Sequence, residues 1–203
     1  KHAGKIGFHA TGYALRAMMQ QASEYQFKDG SIIALHVTGD KSLVEFSDFK
    51  SIENYLGQID TGLSVEERET ISKIRSMSKQ ERWDFWMTEF SRCFKCYACR
   101  AACPLCYCHR CTTDCNQPQW IPVASHDMGN LNWHLMRAMH LSGRCVNCGD
   151  CAKACPMDIP LNLLTYCLVD NIQKDFDFVA GMKSDGLYAL STFKPNDKEE
   201  FIL

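Results

Sequence analysis

CFKCYACRAACP at residues 93–104 and CVNCGDCAKACP at residues 145–156 decide how this chain is read. Both follow C-x2-C-x2-C-x3-C-P. The first holds Cys93, Cys96, Cys99 and Cys103, the second Cys145, Cys148, Cys151 and Cys155. This is the bacterial run for 4Fe-4S ligation. Three cysteines two residues apart wrap a short loop around one face of a cubane, with backbone N–H groups toward its sulfides. The fourth stands one helical turn later and faces away; in two-cluster ferredoxins it serves the other cluster. The spacing therefore predicts crossed ligation. Cys93, Cys96, Cys99 and Cys155 hold one cluster, and Cys145, Cys148, Cys151 and Cys103 the other. Zinc also takes four thiolates, but its usual signature is two C-x2-4-C pairs far apart. Disulfides need an oxidising compartment, for which the sequence gives no sign.

Between the quartets lie four more cysteines, Cys106, Cys108, Cys111 and Cys115, spaced C-x-C-x2-C-x3-C. One reading is a third metal site, zinc or iron–sulfur, with His109, Asp114 and His126 as alternative ligands. The other is a set of reduced thiols near the first cluster, donating S–H hydrogen bonds to its sulfides. The same segment, residues 104–130, is rich in loop signals. Leu131, Leu135, Ala138 and Met139 then predict a helix stripe ending near Gly143.

Thirteen cysteines in 203 residues demand a metal or disulfide account, and 46% hydrophobic residues permit a packed core. The net charge of −2 suggests no nucleic-acid partner. From Arg92 to Cys155, seven Lys/Arg stand against three Asp. Anionic clusters would balance that excess, and nearby cations raise their potential. No apolar run is long enough for a membrane span, and no signal peptide is visible. The expected location is cytoplasmic, in an anaerobic or low-oxygen cell.

Outward from the quartets, the fold class reads as α+β. A mainly helical two-cluster ferredoxin domain, residues 63–173, follows a small β-α-β segment, residues 1–62. An extended C-terminal arm, residues 174–203, ends the chain. In the first part, Lys5–His9 predicts a strand and Thr11 a helix cap. Ser31–Val37 predicts a continuous apolar strand buried on both faces, followed by a weak strand at Ser42–Phe46 and a helix near Phe49–Gln58. His9 and His36 read as core or edge residues. Ser64-Val65-Glu66-Glu67 and Ser78-Lys79-Gln80-Glu81 are capping boxes. Trp83, Trp86, Met87 and Phe90 form one stripe that packs in the core and shields the first cluster from water. Ile159, Leu163, Leu164, Cys167 and Leu168 predict a further helix, with Cys167 as a buried thiol. Phe193, Phe201 and Ile202 predict an arm that lies on a partner or on the chain itself.

Three stretches carry a family resemblance. They are RCFKCYACRAACPLCYC at residues 92–108 with Cys111 and QPQW at residues 117–120; LMRAMHLSGRC at residues 135–145 leading into Ile159-Pro160-Leu161; and LSTFKPND at residues 190–197 with Glu200, Phe201 and Ile202. Together they resemble iron–sulfur subunits related to deazaflavin-dependent hydrogenase/dehydrogenase beta subunits. The cysteine region is also similar to helical ferredoxin subunits. The resemblance implies two 4Fe-4S clusters and an electron-transfer role. It also implies protein partners: flavin or metal subunits of heterodisulfide reductase-like, formate dehydrogenase-like or hydrogenase-like complexes. A flavin-carrying catalytic subunit and a cysteine-based redox or metal sensor are the alternatives. No catalytic residue is expected. No G-x-G-x-x-G follows the Lys5–His9 strand.

Overall fold

A computed structural model describes residues 6–111, 118 and 120–185. Cys115, Phe193, Phe201 and Ile202, and with them most of the expected arm, lie outside the described residues. The chain is α+β. Its N-terminal part runs β1 (Ile6–His9), α1 (Gly12–Ser23), β2 (Ile32–Val37), β3 (Leu43–Phe46) and α2 (Phe49–Leu56). β1 pairs parallel with β2, Ile6 beside Ile32, and β2 pairs antiparallel with β3, Ala34 beside Phe46. Thr11 caps α1 by accepting from the Ala14 N–H at 3.2 Å, and Asp48 caps α2 through the Ser51 N–H at 2.8 Å. Leu15, Met18 and Met19 of α1 and Ile52 and Leu56 of α2 close on Ala34 and Phe46 of the sheet. The reading of β2 as buried on both faces is corrected: along it only Ala34 is fully buried. The sheet is mixed rather than parallel, and Ile6, Val37 and Leu43 are exposed. A continuous apolar run suits a central strand of such a sheet as well as a doubly covered one, so composition alone misjudged its cover.

The remaining helices are α3 (Val65–Ser76), α4 (Lys79–Ser91), α5 (Ala98–Ala101), α6 (Asp127–His140), α7 (Asp150–Lys153) and α8 (Leu161–Phe176). Both capping boxes form: the Glu67 and Glu81 carboxylates accept from the N–H groups of Ser64 and Ser78 at 2.8 and 2.7 Å. α4 lies against α6, α3 against α8, and α5 against α7. The α4 stripe is corrected at one position. Phe90 is buried and Trp86 and Met87 pack beside it, but Trp83 is 48% exposed. None of the helices among the described residues is long and apolar enough to cross a membrane.

Buried polar bonds hold the two parts together. Arg16 on α1, 1% exposed, donates from Nη2 and Nε to the Ala180 carbonyl at 2.7 and 3.2 Å and from Nη1 to the Thr61 carbonyl at 3.1 Å. Gly181 follows Ala180 with φ of +75°, and a Cβ there would stand 2.2 Å from the Arg16 carbonyl oxygen, so only glycine fits. Glu24, at the C-cap of α1, takes a forked pair from Arg144 at 2.7 and 2.5 Å. Arg144 immediately precedes Cys145, so this pair ties α1 to the start of the second cysteine loop.

Candidate metal centre

The two quartets fold into the same backbone shape. Lys95 and Tyr97 have φ of 58° and 61°; Asn147 and Gly149, at the matching places, have 62° and 74°. α5 then begins after Tyr97 and α7 after Gly149. Left-handed backbone costs a non-glycine residue roughly 1–2 kcal/mol, so three such residues in two matched loops mark a geometry with a purpose. Alternating αR and αL residues turn successive N–H groups to one concave side, which makes an anion nest. The Lys95 N–H reaches the Cys93 sulfur at 3.4 Å, and in the second loop the Cys145 thiol lies 3.8 Å from the Asn147 side-chain oxygen. The fourth cysteines match as well. Cys103 accepts from the Cys106 N–H at 3.1 Å, and Cys155 from the Asp158 N–H at 3.1 Å, through their carbonyls.

Cys93, Cys96, Cys99 and Cys155 line one cavity, together with Lys95, Tyr97, Trp133 and His134. Phe90, Trp86, Ile159 and Leu161 pack around it. Cys103, Cys145 and Cys148 gather in a separate apolar cluster with Leu105, Leu141, Val146, Ala17 and Ala180. Cys151 is buried and lies within electrostatic reach of both Cys145 and Cys103. Cys155 thus lines the cavity of the first triplet and Cys103 packs with Cys145 and Cys148, while Cys151 lies between the two groups and packs with Cys93, Cys99 and Cys155. Burial pushes the Cys99 and Cys145 thiols up to about 11. Left to themselves they stay protonated, and a multi-iron core supplies the positive charge that makes them thiolates. Among the described residues no three His, Cys, Asp or Glu side chains are gathered as a single metal ion requires. The thiols of a cubane stand farther apart than those around one ion.

The face that α6 turns to these cysteines is not the apolar stripe that the sequence suggests. Leu131 and Ala138 are buried as expected, but Leu135 is 44% and Met139 59% exposed. The inward face is instead Asn130, Leu131, Trp133, His134, Arg137 and Ala138. Asn130 Nδ2 donates to the Phe90 and Cys93 carbonyls at 2.9 and 2.7 Å, fixing the entry to the first loop. His134 is 3% exposed, stacked on Phe90 with ring centroids 4.5 Å apart, and its Nε2 has no partner among the described residues. Burial, with Arg137 and Lys95 nearby, lowers its pKa to about 3, so the ring is neutral. Arg137 donates from Nη2 to the Cys99 carbonyl at 3.0 Å, and its Nε is also without a partner. Buried donors in this condition cost roughly 1–3 kcal/mol each. Sulfides of an iron–sulfur core are acceptors of the right kind beside them, so the residues present fit that group. Sequence reasoning passed over His134 and Arg137 because it followed apolar periodicity. Their i, i+3 spacing on a helix between two cysteine runs was the available signal.

Lys95 is 7% exposed and its ammonium donates to the Pro122 carbonyl. Of the intervening cysteines, Cys106 packs with Cys103, and the proximity of the two thiols holds Cys103 on the acidic side of an ordinary thiol and Cys106 on the basic side. Cys106 also packs in the second cluster of apolar residues, not beside the first loop. Cys106, Cys108 and Cys111 border a cavity of about 40 Å³ with Arg137 and His140.

Residues 105–159 match the family model of the 4Fe-4S dicluster domain. The match takes in Cys106, Cys108, Cys111 and Cys115 and the whole second quartet, and starts just after Cys103. Over 98 residues, 48% of this chain and 25% of the relative, the sequence is 36% identical to the F420-dependent formate dehydrogenase subunit beta of Methanocaldococcus jannaschii. Over 105 residues, 52% of this chain and 26% of the relative, it is 29% identical to the F420-dependent formate dehydrogenase 1 subunit beta of Methanococcus maripaludis. The chain spans about a quarter of the length of these curated relatives. Over about half its length the chain is similar to the beta subunits of F420-dependent formate dehydrogenases, and residues 105–159 carry the 4Fe-4S dicluster match.

Proposed function

We propose that this chain is an electron-transfer subunit that relays single electrons through two 4Fe-4S clusters between redox subunits of a larger oxidoreductase complex. Cys93, Cys96, Cys99 and Cys155 hold the first cluster, and Cys145, Cys148, Cys151 and Cys103 the second. The supporting observation is the shared cavity of Cys93, Cys96, Cys99 and Cys155, which joins residues from both ends of the cysteine region. When bound, the clusters supply one-electron chemistry. The chain's own residues ligate them, aim N–H groups at their sulfurs and exclude water with Phe90, Trp86 and Trp133. Cys96 is exposed, which gives the first cluster an edge toward a partner. The partners are formate dehydrogenase-like, heterodisulfide reductase-like or hydrogenase-like subunits, the first being favoured by the names of the relatives. The complex is placed in the cytoplasm. The domains are residues 1–62, 63–173 and 174–203.

A second reading follows from the extent of the family match, which pairs the second quartet with Cys106, Cys108, Cys111 and Cys115 rather than with Cys93–Cys103. On that reading these four hold a third centre. Iron and zinc counts on anaerobically purified protein, with electron paramagnetic resonance of the reduced state, test both. Two cubanes give about eight irons per chain and no zinc. About twelve irons, or one zinc lost in Cys108→Ala, establish the third centre. Four irons or fewer, with fully formed protein, contradict the relay.

A further inference from the structure

We propose that His134 donates a hydrogen bond from Nε2 to the sulfur of the first cluster, and that this bond raises the midpoint of that cluster and not of the second. The inference rests on the cluster assignment proposed above. His134 lies on the inward face of α6 and lines the same cavity as Cys93, Cys96, Cys99 and Cys155. It is 3% exposed, and its Nε2 is shielded from solvent with no partner among the described residues. Packing, not a bond from that nitrogen, sets the plane of the ring. Phe90 stacks on it with centroids 4.5 Å apart and the planes 20° from parallel, and Trp86 stacks on Phe90 in turn at 5.3 Å.

A buried nitrogen in this condition calls for a partner that the protein does not supply. Its neighbours spend their donors on the main chain. Asn130 Nδ2 goes to the Phe90 and Cys93 carbonyls, Arg137 Nη2 to the Cys99 carbonyl and the Lys95 ammonium to the Pro122 carbonyl. Arg137 Nε is also unpartnered among the described residues, but Arg137 borders the cavity of Cys106, Cys108 and Cys111 instead. His134 Nε2 is thus left for what fills the first cavity. Thiolates and sulfides accept hydrogen bonds and have none to donate, so the neutral ring carries its proton on Nε2 when the cluster is bound. A reduced cluster holds one more negative charge, part of it on sulfur, so the same bond is stronger in the reduced state and raises the midpoint. A neutral donor acts over hydrogen-bond distance only. The apolar group around Cys103, Cys145 and Cys148 does not include His134.

The test uses the full chain, reconstituted anaerobically, in wild-type, His134→Phe and His134→Gln forms. Phe keeps a ring on Phe90 and removes the donor; Gln removes the ring and keeps an N–H near the place of Nε2. Iron is counted first, then both midpoints are read by dithionite titration with paramagnetic resonance, the first-site signal being the one altered in Cys96→Ser. The expected result is full iron in both variants, a lower first midpoint in His134→Phe, recovery of most of that drop in His134→Gln, and a second midpoint that stays in place. Wild-type protein labelled with 15N-histidine should also show hyperfine coupling of a histidine nitrogen to the reduced first cluster, absent in His134→Phe. An unmoved first midpoint in His134→Phe, an equal drop in both variants, or a drop shared by both clusters overturns the proposal. If His134→Phe does not load, the labelled wild type decides: nitrogen coupling supports the bond, and coupling to exchangeable protons alone, as from a water, overturns it. A wild-type chain without the first cluster overturns the relay and this bond together, and the iron count tells that result from a failure of the bond alone.

Discussion

The two cysteine loops share a backbone and differ in what surrounds them. The first passes through left-handed backbone with Lys95 and Tyr97, the second with Asn147 and Gly149. The first is walled by aromatic rings, with Trp86 stacked on Phe90, Phe90 on His134, and Tyr97 edge-on to Trp133. The second is walled mainly by aliphatic residues, with the one ring of Phe178 beside them, and by the N-terminal part, through Ala17, Arg16 and the Glu24–Arg144 pair. Ligand geometry dictates the backbone, so it repeats. Nothing in ligation dictates the wall, so each site is tuned by its own neighbours. One loop leans on α4 and α6, and the other on the β-α-β segment.

The largest expected effect breaks the aromatic wall. Phe90→Ala removes a ring that is fully buried between Trp86 and His134, and such changes cost about 3–5 kcal/mol. Chemical denaturation under anaerobic conditions should show that loss. On exposure to air, the first-site resonance should bleach faster than in the wild type while the second-site rate is unchanged. Equal acceleration at both sites would remove the distinction between the walls.

Glu24→Gln probes the other wall. Burial alone would raise this carboxyl, but hydrogen bonds from Arg144, Tyr107 and Gln20 outweigh it and hold it below its usual range. The pair is half-shielded, so its loss should cost about 2 kcal/mol, between the surface and buried values. The sign follows from the lowered carboxyl. Its stabilisation is complete above the unfolded value near 4.5 and is lost as pH falls through the folded one. As pH falls below about 4.5 and through the lower folded value, the wild-type thermal midpoint should therefore fall more steeply than that of Glu24→Gln, with no difference in slope above 4.5. Parallel slopes would show that the pair does not anchor the second loop.

A smaller effect comes from exchanging the left-handed residues. Gly149→Ala places a side chain at φ of +74° with its Cβ 3.3 Å from the Tyr166 hydroxyl. It should destabilise by about 1–2 kcal/mol. Tyr97→Gly relieves the same strain in the first loop but gives up the contact with Trp133, so its net change should lie within about 1 kcal/mol. Denaturant midpoints of the two variants give the comparison directly.

Much of this was legible in the sequence, and the reasons for the rest are physical. The quartets fix their own spacing, and the capping boxes of α3 and α4 are local chemistry, so both could be read directly. The cover of β2 depends on which helices reach the sheet, which no strand pattern encodes. The inward face of α6 was misread because it turns polar donors, not apolar side chains, to the cysteine loops. A helix beside an iron–sulfur site needs N–H donors where an ordinary core helix needs leucines. Asn130, His134 and Arg137 therefore occupy the positions that a search for apolar periodicity discards.

The central claim is that each run lends its fourth cysteine to the other run's cluster, and reciprocal substitution tests it most directly. Cys103→Ser and Cys155→Ser are purified anaerobically, and iron is counted and resonances are recorded for each. The account predicts that Cys103→Ser damages the cluster held by Cys145, Cys148 and Cys151, and that Cys155→Ser damages the one held by Cys93, Cys96 and Cys99. Damage confined in each variant to the cluster of its own run would contradict it.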